Sequence, residues 1–388
     1  MNSSKSNPPS LRVLLLAESP YFGGITSHLV ALAEGMRQQE GITPVLASLS
    51  GRGADRTLFE LAAARGIEVV EVPMRGRLDV GVMNRLRALA DGQRIDLVHT
   101  HNYRATLLAA AALRRLPLVA TCHGLVGPQA PLPVRAWQAL ELRCMRRARA
   151  VIACSQQVRE GLLARGIPAD KVRVVHNGVP GPDPTAIRYE DWEPGGPSCI
   201  LEEVPRVLFA GRLVEGKGLD LLLEACAQQR EWHCMVAGDG PARGALEALA
   251  QKLGVNAEFL GAQADMATWY SNAHVVALPS RSEAFPMVLL EAAAHGRPVI
   301  AANVGGVSEI VADRKTGVLL PDPTTSDTVA DLVAAFDLLR KPKTRGTMGK
   351  NARARWEAEF TPEHMATTVA EVYRAAFQAP SEGGNNCG

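Results

Sequence analysis

Glu283 and Glu291 stand in the run Ser280-Arg-Ser-Glu283-Ala-Phe-Pro286-Met-Val-Leu-Leu-Glu291-Ala-Ala-Ala-His-Gly296, where two acids flank a helix start. Pro286 suits the first helical position, because the N–H it lacks has no helical partner there. Glu283 then falls on the preceding loop and Glu291 in the second turn, within an apolar face. A carboxylate in such a face needs a partner. The unpaired N–H groups of Met287 and Val288, at the positive end of the helix dipole, make an anion site between the two acids. Acids on either side of an anion site could bracket a molecule with a phosphate centre and a hydroxyl-rich group at each end. A nucleotide-sugar has that form. A capping Glu283 and a salt-bridged Glu291 would leave the same residues.

A second group lies in Ala210-Gly211-Arg212-Leu-Val-Glu-Gly-Lys217-Gly218. Arginine offers a planar fork and lysine a compact charge, so together they can neutralise a diphosphate. The alternative is a solvated loop. The spacing is not that of a P-loop. In Gly238-Asp239-Gly240-Pro-Ala-Arg243 the third glycine of a dinucleotide fingerprint is replaced by Arg243, so that fingerprint fails and a tight turn is the competing reading. Gly23-Gly24-Ile-Thr26 precedes an amphipathic stretch: it would let backbone approach a ligand, or make a turn capped by Thr26. His99, His101 and His123 end apolar runs; a lone histidine is commonly structural, and His99 and His101 are the weaker candidates for a cleft role. No carboxylate pattern accompanies them and no Asp-x-Asp occurs, so a metal clamp on phosphate is not expected and Arg212 with Lys217 would supply the charge.

These residues need a frame. Apolar runs at 12–17, 44–49, 67–72, 95–100, 118–122, 150–153 and 172–175 alternate with amphipathic stretches, and a second series follows at 207–210, 233–237, 257–260, 275–278 and 299–302. Near-continuous apolar strands separated by helices predict parallel sheets covered on both faces. The expected architecture is α/β: two Rossmann-like, doubly wound domains facing across a cleft, with a helical C-terminus. The expected boundaries are a disordered N-terminus (1–10), an N-terminal acceptor-side domain (11–178), a linker (179–203), a C-terminal nucleotide-sugar domain (204–361), a helix crossing back (362–378) to the N-terminal domain and a disordered tail (379–388). Ligands gather at the carboxyl ends of such strands, where the residues above fall.

With 47% hydrophobic and 21% charged residues and a net charge of +2, the 388-residue chain carries no field that argues for nucleic acid. Cysteines without paired spacing favour a reducing compartment. No run has the length of a membrane span and the N-terminus lacks a signal core, so the sequence reads as cytoplasmic. The predicted helix 134–149 carries Arg135, Arg143, Arg146, Arg147 and Arg149 within an arc of roughly 160°, opposite Val134, Trp137, Cys144 and Ala148. A core helix with a solvated face accounts for this. So does a basic surface meeting anionic lipid on the inner face of the plasma membrane, or a phosphorylated acceptor.

Together these motifs resemble the retaining glycosyltransferases of family 4 and their GT-B architecture. The carriers are Gly-Arg212-Leu…Lys217-Gly, Gly238-Asp-Gly-Pro, Glu283-x7-Glu291 with Pro298-Val, and Gly305-Gly306…Glu309, with looser matches at Asp96-Leu-Val-His99-x-His101, His123-Gly, Ser155 and Asn177-Gly178. The resemblance implies Arg212 and Lys217 on the donor diphosphate, Glu291 with Gly238 at the nucleoside, and Glu283 at the transferred sugar. It places His123 on the acceptor side and Gly23-Gly24 at the diphosphate or acceptor. Phe285-Pro286 departs from the family's frequent aromatic-Gly. The implied activity is retaining transfer from a UDP-, GDP- or ADP-sugar to a saccharide or lipid-linked hydroxyl, with no required cofactor, in polysaccharide, lipopolysaccharide or glycolipid synthesis. A nucleotide-sugar epimerase or hydrolase on the same frame, or a non-catalytic nucleotide-sugar-binding subunit, are the competing readings.

Overall fold

The computed structural model describes residues 10–18, 24–51, 56–76, 79–127, 129–183, 204–263, 265–321, 323 and 325–378. Two compact units emerge: one ends at Gly178 and resumes at Pro362, the other is Val179–Thr361.

The first unit holds strands β1 (Leu11–Glu18), β2 (Ile42–Ser50), β3 (Val69–Pro73), β4 (Leu97–Thr100), β5 (Leu118–Cys122), β6 (Ala150–Ala153) and β7 (Val172–Val174). They form one parallel sheet in the order β3-β2-β1-β4-β5-β6-β7. Its connecting helices are α1 (Gly24–Met36), α2 (Thr57–Ala63), α3 (Gly81–Gly92), α4 (Tyr103–Ala112), α5 (Leu132–Arg147) and α6 (Gln156–Ala164). The run from Val13 to Ala17 is fully buried, because alternate residues serve cores on opposite faces: Val13, Leu15 and Ala17 one, Leu14 and Leu16 the other. Asn102 caps α4 through Ala105 N (3.1 Å) while its Nδ2 donates to Glu18 O (2.7 Å), fixing the β4–α4 turn to the end of β1.

The second unit holds β8 (Arg206–Ala210), β9 (His233–Ala237), β10 (Ala257–Gly261), β11 (Val275–Leu278), β12 (Val299–Ala302) and β13 (Gly317–Leu320), again parallel, in the order β10-β9-β8-β11-β12-β13. Its helices are α7 (Leu219–Gln228), α8 (Arg243–Leu253), α9 (Ala267–Asn272), α10 (Met287–Ala294), α11 (Val307–Ile310), α12 (Thr328–Leu339) and α13 (Pro342–Glu359). A last helix, α14 (Pro362–Gln378), belongs to the first unit. Met365, Ala366, Val369, Ala370 and Tyr373 join Leu29, Leu32 and Met36 of α1 in one core. A Cβ at Gly35 would stand 2.5 Å from Pro362 O, so only glycine lets the two helices approach this closely.

Three expectations change. The strand at 317–320 was not foreseen: it is short, and begins at a glycine whose added Cβ would meet Val299 O at 2.5 Å. The expected linker begins later than 179, since Val179 N donates to Phe360 O (3.0 Å) and Trp356 Nε1 donates to Val179 O (3.1 Å). The remainder of that linker from 184, the residues before 10 and those after 378 lie outside the described residues. On α5, Val134 and Trp137 do not face a core. They are exposed, as are Leu132 and Leu140, and the buried side is Leu142 and Met145 with Ala148 just beyond.

Candidate active site

Helix α10 begins one residue later than expected. Pro286 is its N-cap (φ −74°, ψ 117°) and Met287 its first residue, so Met287 and Val288 present the first N–H groups. The amide of Leu289 is taken by Pro286 O at 3.2 Å. Glu291 lies in the second turn, as the sequence implied, and its partner is the hydroxyl of Tyr270 on α9, which donates to Oε2 at 2.5 Å. Burial raises the carboxyl's pKa, and the tyrosine bond works against that rise. His295 supports the pair: its Nδ1 is 2.9 Å from Glu291 O and its ring centroid 5.1 Å from that of Tyr270. One carboxylate oxygen is thus held by protein, leaving Oε1 to accept from a ligand hydroxyl.

Glu283 sits on the loop before α10 and pairs with Lys217 Nζ at 2.6 Å, with little of the glutamate side chain exposed. The two residues assigned separately to sugar and diphosphate are therefore in contact. An ammonium has three donors; one serves Glu283, so others can reach an anion. Several bonds hold the lysine's loop. Gly218, at φ +72°, leaves no room for a Cβ, which would fall 2.0 Å from Pro279 O. Arg281 grips Asp220 with both terminal nitrogens (3.0 and 2.6 Å), donates to Glu215 O (2.6 Å), and its own N–H donates to Gly216 O (2.8 Å). The Gly305-Gly306 motif is tied in through Gly306 N to Ala284 O (2.9 Å).

Arg212 is exposed on the same loop; its carbonyl accepts from Val214 N (3.0 Å), and its guanidinium has no hydrogen-bond or ion-pair partner among the described residues. Gly238, at φ +140°, abuts Gly211, whose carbonyl oxygen would be 1.8 Å from a Cβ. Leu213 N donates to Asp239 O (2.9 Å) and Ala242 N to Leu213 O (3.0 Å), so the β8 and β9 loops are interlocked. That contact explains the glycine at 238 without a ligand. Arg243, at the third glycine position, pairs with Asp239 and Glu247.

In the first unit, Gly23 lies outside the described residues and Gly24 is the exposed first residue of α1. The helix therefore starts before Thr26, which is not its cap. His123 follows β5, and its Nε2 is 3.3 Å from His101 Nδ1. His99 is fully engaged, Nδ1 with Tyr373 Oη (2.6 Å) and Nε2 with Thr121 Oγ1 (2.7 Å). Sequence reasoning missed His28, which turns from α1 into this group, with ring centroids 5.3 Å from His101 and 4.8 Å from His123. Its one signal was a histidine inside the apolar run Ile25-Thr-Ser-His28-Leu-Val-Ala-Leu-Ala33. Burial pulls His99 down to about 3 and His123 to about 4, and lowers His28 and His101 well below the usual value. All four rings are neutral near pH 7. Two looser motif residues have structural roles: Ser155 caps α6 through Val158 N (3.2 Å), and Asp96 accepts from Arg12 N (2.8 Å).

The second unit therefore offers cations and helix-start amides for a diphosphate, flanked by a paired and a tyrosine-held carboxylate. The family described as Glycosyl transferases group 1 matches residues 198–355, and Glycosyltransferase Family 4 matches 22–180. A D-inositol 3-phosphate glycosyltransferase of Kribbella flavida is 30% identical over 346 residues, covering 81% of this chain and 79% of that protein. The enzyme of the same description from Mycobacterium tuberculosis is 30% identical over 338 residues, 80% of this chain and 68% of its own. Among solved structures, Anabaena HepE in complex with UDP-glucose superposes with TM-score 0.78 at 23% identity, over 94% of this chain and 99% of that one. WaaG, a glycosyltransferase involved in lipopolysaccharide biosynthesis, gives 0.67 at 18%, over 93% and 99%. At those identities the structures speak to the fold, which is GT-B.

Proposed function

The chain belongs to the family 4 glycosyltransferases, and on that premise we propose that it moves a sugar from a nucleoside-diphosphate donor to an acceptor hydroxyl with retained anomeric configuration and without a metal at the diphosphate. In this reading Arg212, Lys217 and the amides of Met287 and Val288 bind the diphosphate. Glu291 takes the ribose hydroxyls beside Gly238, and Glu283 those of the transferred sugar. His123 serves the acceptor side, and the Gly23-Gly24 backbone the diphosphate or acceptor.

The supporting observation is the pair of restrained carboxylates on either side of the α10 start, one on Lys217 and one on Tyr270. As the glycosidic bond stretches toward an oxocarbenium-like state, negative charge collects on the leaving diphosphate. Fixed cations and amides interact more strongly with that developing charge than with the intact donor, which is the condition for acceleration. The Lys217–Glu283 contact keeps the ammonium in place before donor arrives, so less reorganisation is left for the reaction.

The relatives named D-inositol 3-phosphate glycosyltransferase and the UDP-glucose complex of HepE make a UDP-sugar the first donor to test, and a hydroxylated, phosphorylated or lipid-linked saccharide the acceptor class. A lipid-linked acceptor suits α5, whose exposed Leu132, Val134, Trp137 and Leu140 stand beside exposed Arg135, Arg143 and Arg147, a composition for an anionic bilayer surface. The site of action would then be the cytoplasmic face of the membrane.

The test has two arms. Thermal shift against UDP-, GDP- and ADP-sugars identifies the donor, since a bound ligand raises apparent stability. Transfer to varied acceptors is then followed with Lys217→Ala and Glu291→Ala, each expected to lose about 100- to 1,000-fold in turnover while circular dichroism stays unchanged. Near-normal turnover in either variant removes that residue from the mechanism. Rapid epimer or free sugar from donor alone would favour an epimerase or hydrolase instead.

A further inference from the structure

The histidines gathered in the first unit exceed what an acceptor-side role for His123 requires. His28 comes from α1, His101 from the end of β4 and His123 from the end of β5, and each offers a ring nitrogen within 4.8 Å of the other two. His28 and His101 are buried, and His123 is half-buried. Neither ring nitrogen of His28 makes a hydrogen bond, although the Asn177 side chain is close enough to act on its protonation, and Nε2 of His101 makes none either. Buried polar atoms in a native fold are nearly always satisfied, and those that are not call for a cause such as a bound ion. His99 stands apart: both its nitrogens are used, and its ring lies 4.1 Å from that of His101, closing one side of the group.

We propose that His28, His101 and His123 form a binding site for one divalent transition-metal ion of the Zn2+ class, with a fourth position open to water or a ligand oxygen.

The geometry suits it. Two nitrogens each about 2.0–2.1 Å from a tetrahedral Zn2+ stand about 3.3 Å apart, and His101 Nδ1 and His123 Nε2 are 3.3 Å apart. Drawing His28 in requires a movement of about 1.5 Å or less to reach the same spacing, within reach of a side-chain rotation. Neutral imidazoles keep the lone pair that a metal takes, and burial holds these neutral at physiological pH. Three imidazoles without carboxylate or thiolate select Zn2+, Cu2+ or Ni2+ over Mg2+ and Ca2+. No other group of this kind occurs among the described residues. The three ligands all belong to the first unit, and of the side chains in the proposed transfer machinery only His123 is among them, so the site does not rest on that reading.

Metal binding is read without donor or acceptor. Full-length protein stripped with EDTA is titrated with Co2+, then with Zn2+ in competition. Visible d–d bands of tetrahedral intensity at one Co2+ per chain, displaced by one Zn2+, are expected. X-ray absorption of the Zn2+ form should show three imidazole shells at about 2.0 Å. His28→Gln and His101→Gln should each weaken Zn2+ about 100-fold or more, because ligand loss costs at least what loss of an outer-shell partner does. Zn2+ should raise the melting temperature of the wild type and leave that of His28→Gln unmoved. Absent d–d bands, fewer than three imidazoles in the absorption fit, or undiminished binding in His28→Gln overturns the proposal. The spectra of the wild type decide the matter even if a variant fails to fold.

Discussion

Glu291 carries a burden that its neighbour relieves. Burial raises its pKa, and Tyr270 supplies the hydrogen bond that favours the charged form. A bond to a charged group contributes about 1.5–3 kcal/mol. Tyr270→Phe should therefore raise the KM for donor about 10-fold or more, with a smaller change in kcat. Without the hydroxyl the carboxyl protonates more readily, so the defect should be greater at pH 6 than at pH 8. Steady-state kinetics at the two pH values checks this, and equal KM in variant and wild type at both rejects a positioning role for Tyr270. The demand for a partner was legible in the sequence, because a carboxylate interrupts an apolar helix face. Its identity was not, since Tyr270 comes from another helix and only the fold brings it close. Lys217 and Glu283 were likewise legible singly, and their contact only in three dimensions.

The loops after β8 and β9 are held by backbone that tolerates no side chain at particular points. Gly218→Ala would force a Cβ toward Pro279 O and place alanine at φ +72°. Left-handed backbone alone costs alanine roughly 1–2 kcal/mol, and the clash must move the loop that carries Lys217. Lower urea resistance together with at least about a 10-fold loss of turnover is expected, since misplacement near 1 Å can cost more than that. Gly216→Ala on the same loop meets nothing within 4 Å and is the control that should be near neutral. Equal behaviour of the two variants would sink this account of the loop. Glycines in these turns were visible in the sequence, but which of them is sterically required depends on distant carbonyls. Helix α5 makes the complementary point. Periodicity located its arginines but assigned Val134 and Trp137 to a core, because hydropathy cannot tell a buried stripe from an exposed one. If the exposed stripe meets membrane, Trp137→Ser with Leu140→Ser should weaken binding to vesicles containing phosphatidylglycerol by about 10-fold, and salt should weaken it further. Flotation of both proteins measures this; unchanged binding removes α5 from the membrane contact.

At the scale of the molecule, two series of apolar runs foretold two parallel sheets, because strands buried on both faces leave a dense Val/Ile/Leu signature. The packing of Val179 and Gly181 against Trp356 is not legible in the sequence, since prolines and glycines read as linker whether or not they pack. The two units should differ in their response to acid. In the first, His28, His99, His101 and His123 have lowered pKa values, and Glu18 and Glu141 raised ones, Glu141 to about 7. In the second, His274 and His295 are lowered and Glu291 is raised. A histidine with a depressed pKa contributes stability fully above pH 6.5, lost as pH falls toward its folded value. A carboxyl with a raised pKa works in the opposite sense, stabilising as pH falls through that raised value. The first unit carries four depressed histidines against two raised carboxyls, and the second two against one, so the first should weaken more steeply as pH falls below 6.5. Hydrogen exchange of metal-free protein at pH 7 and pH 5, corrected for intrinsic rates, should show protection falling more in β4 and β5 than in β8 and β11. Equal loss in both sheets would mean that the histidine cluster is already charged, or hydrated, in the folded chain, and its neutral, buried character would have to be abandoned along with its fitness for a metal.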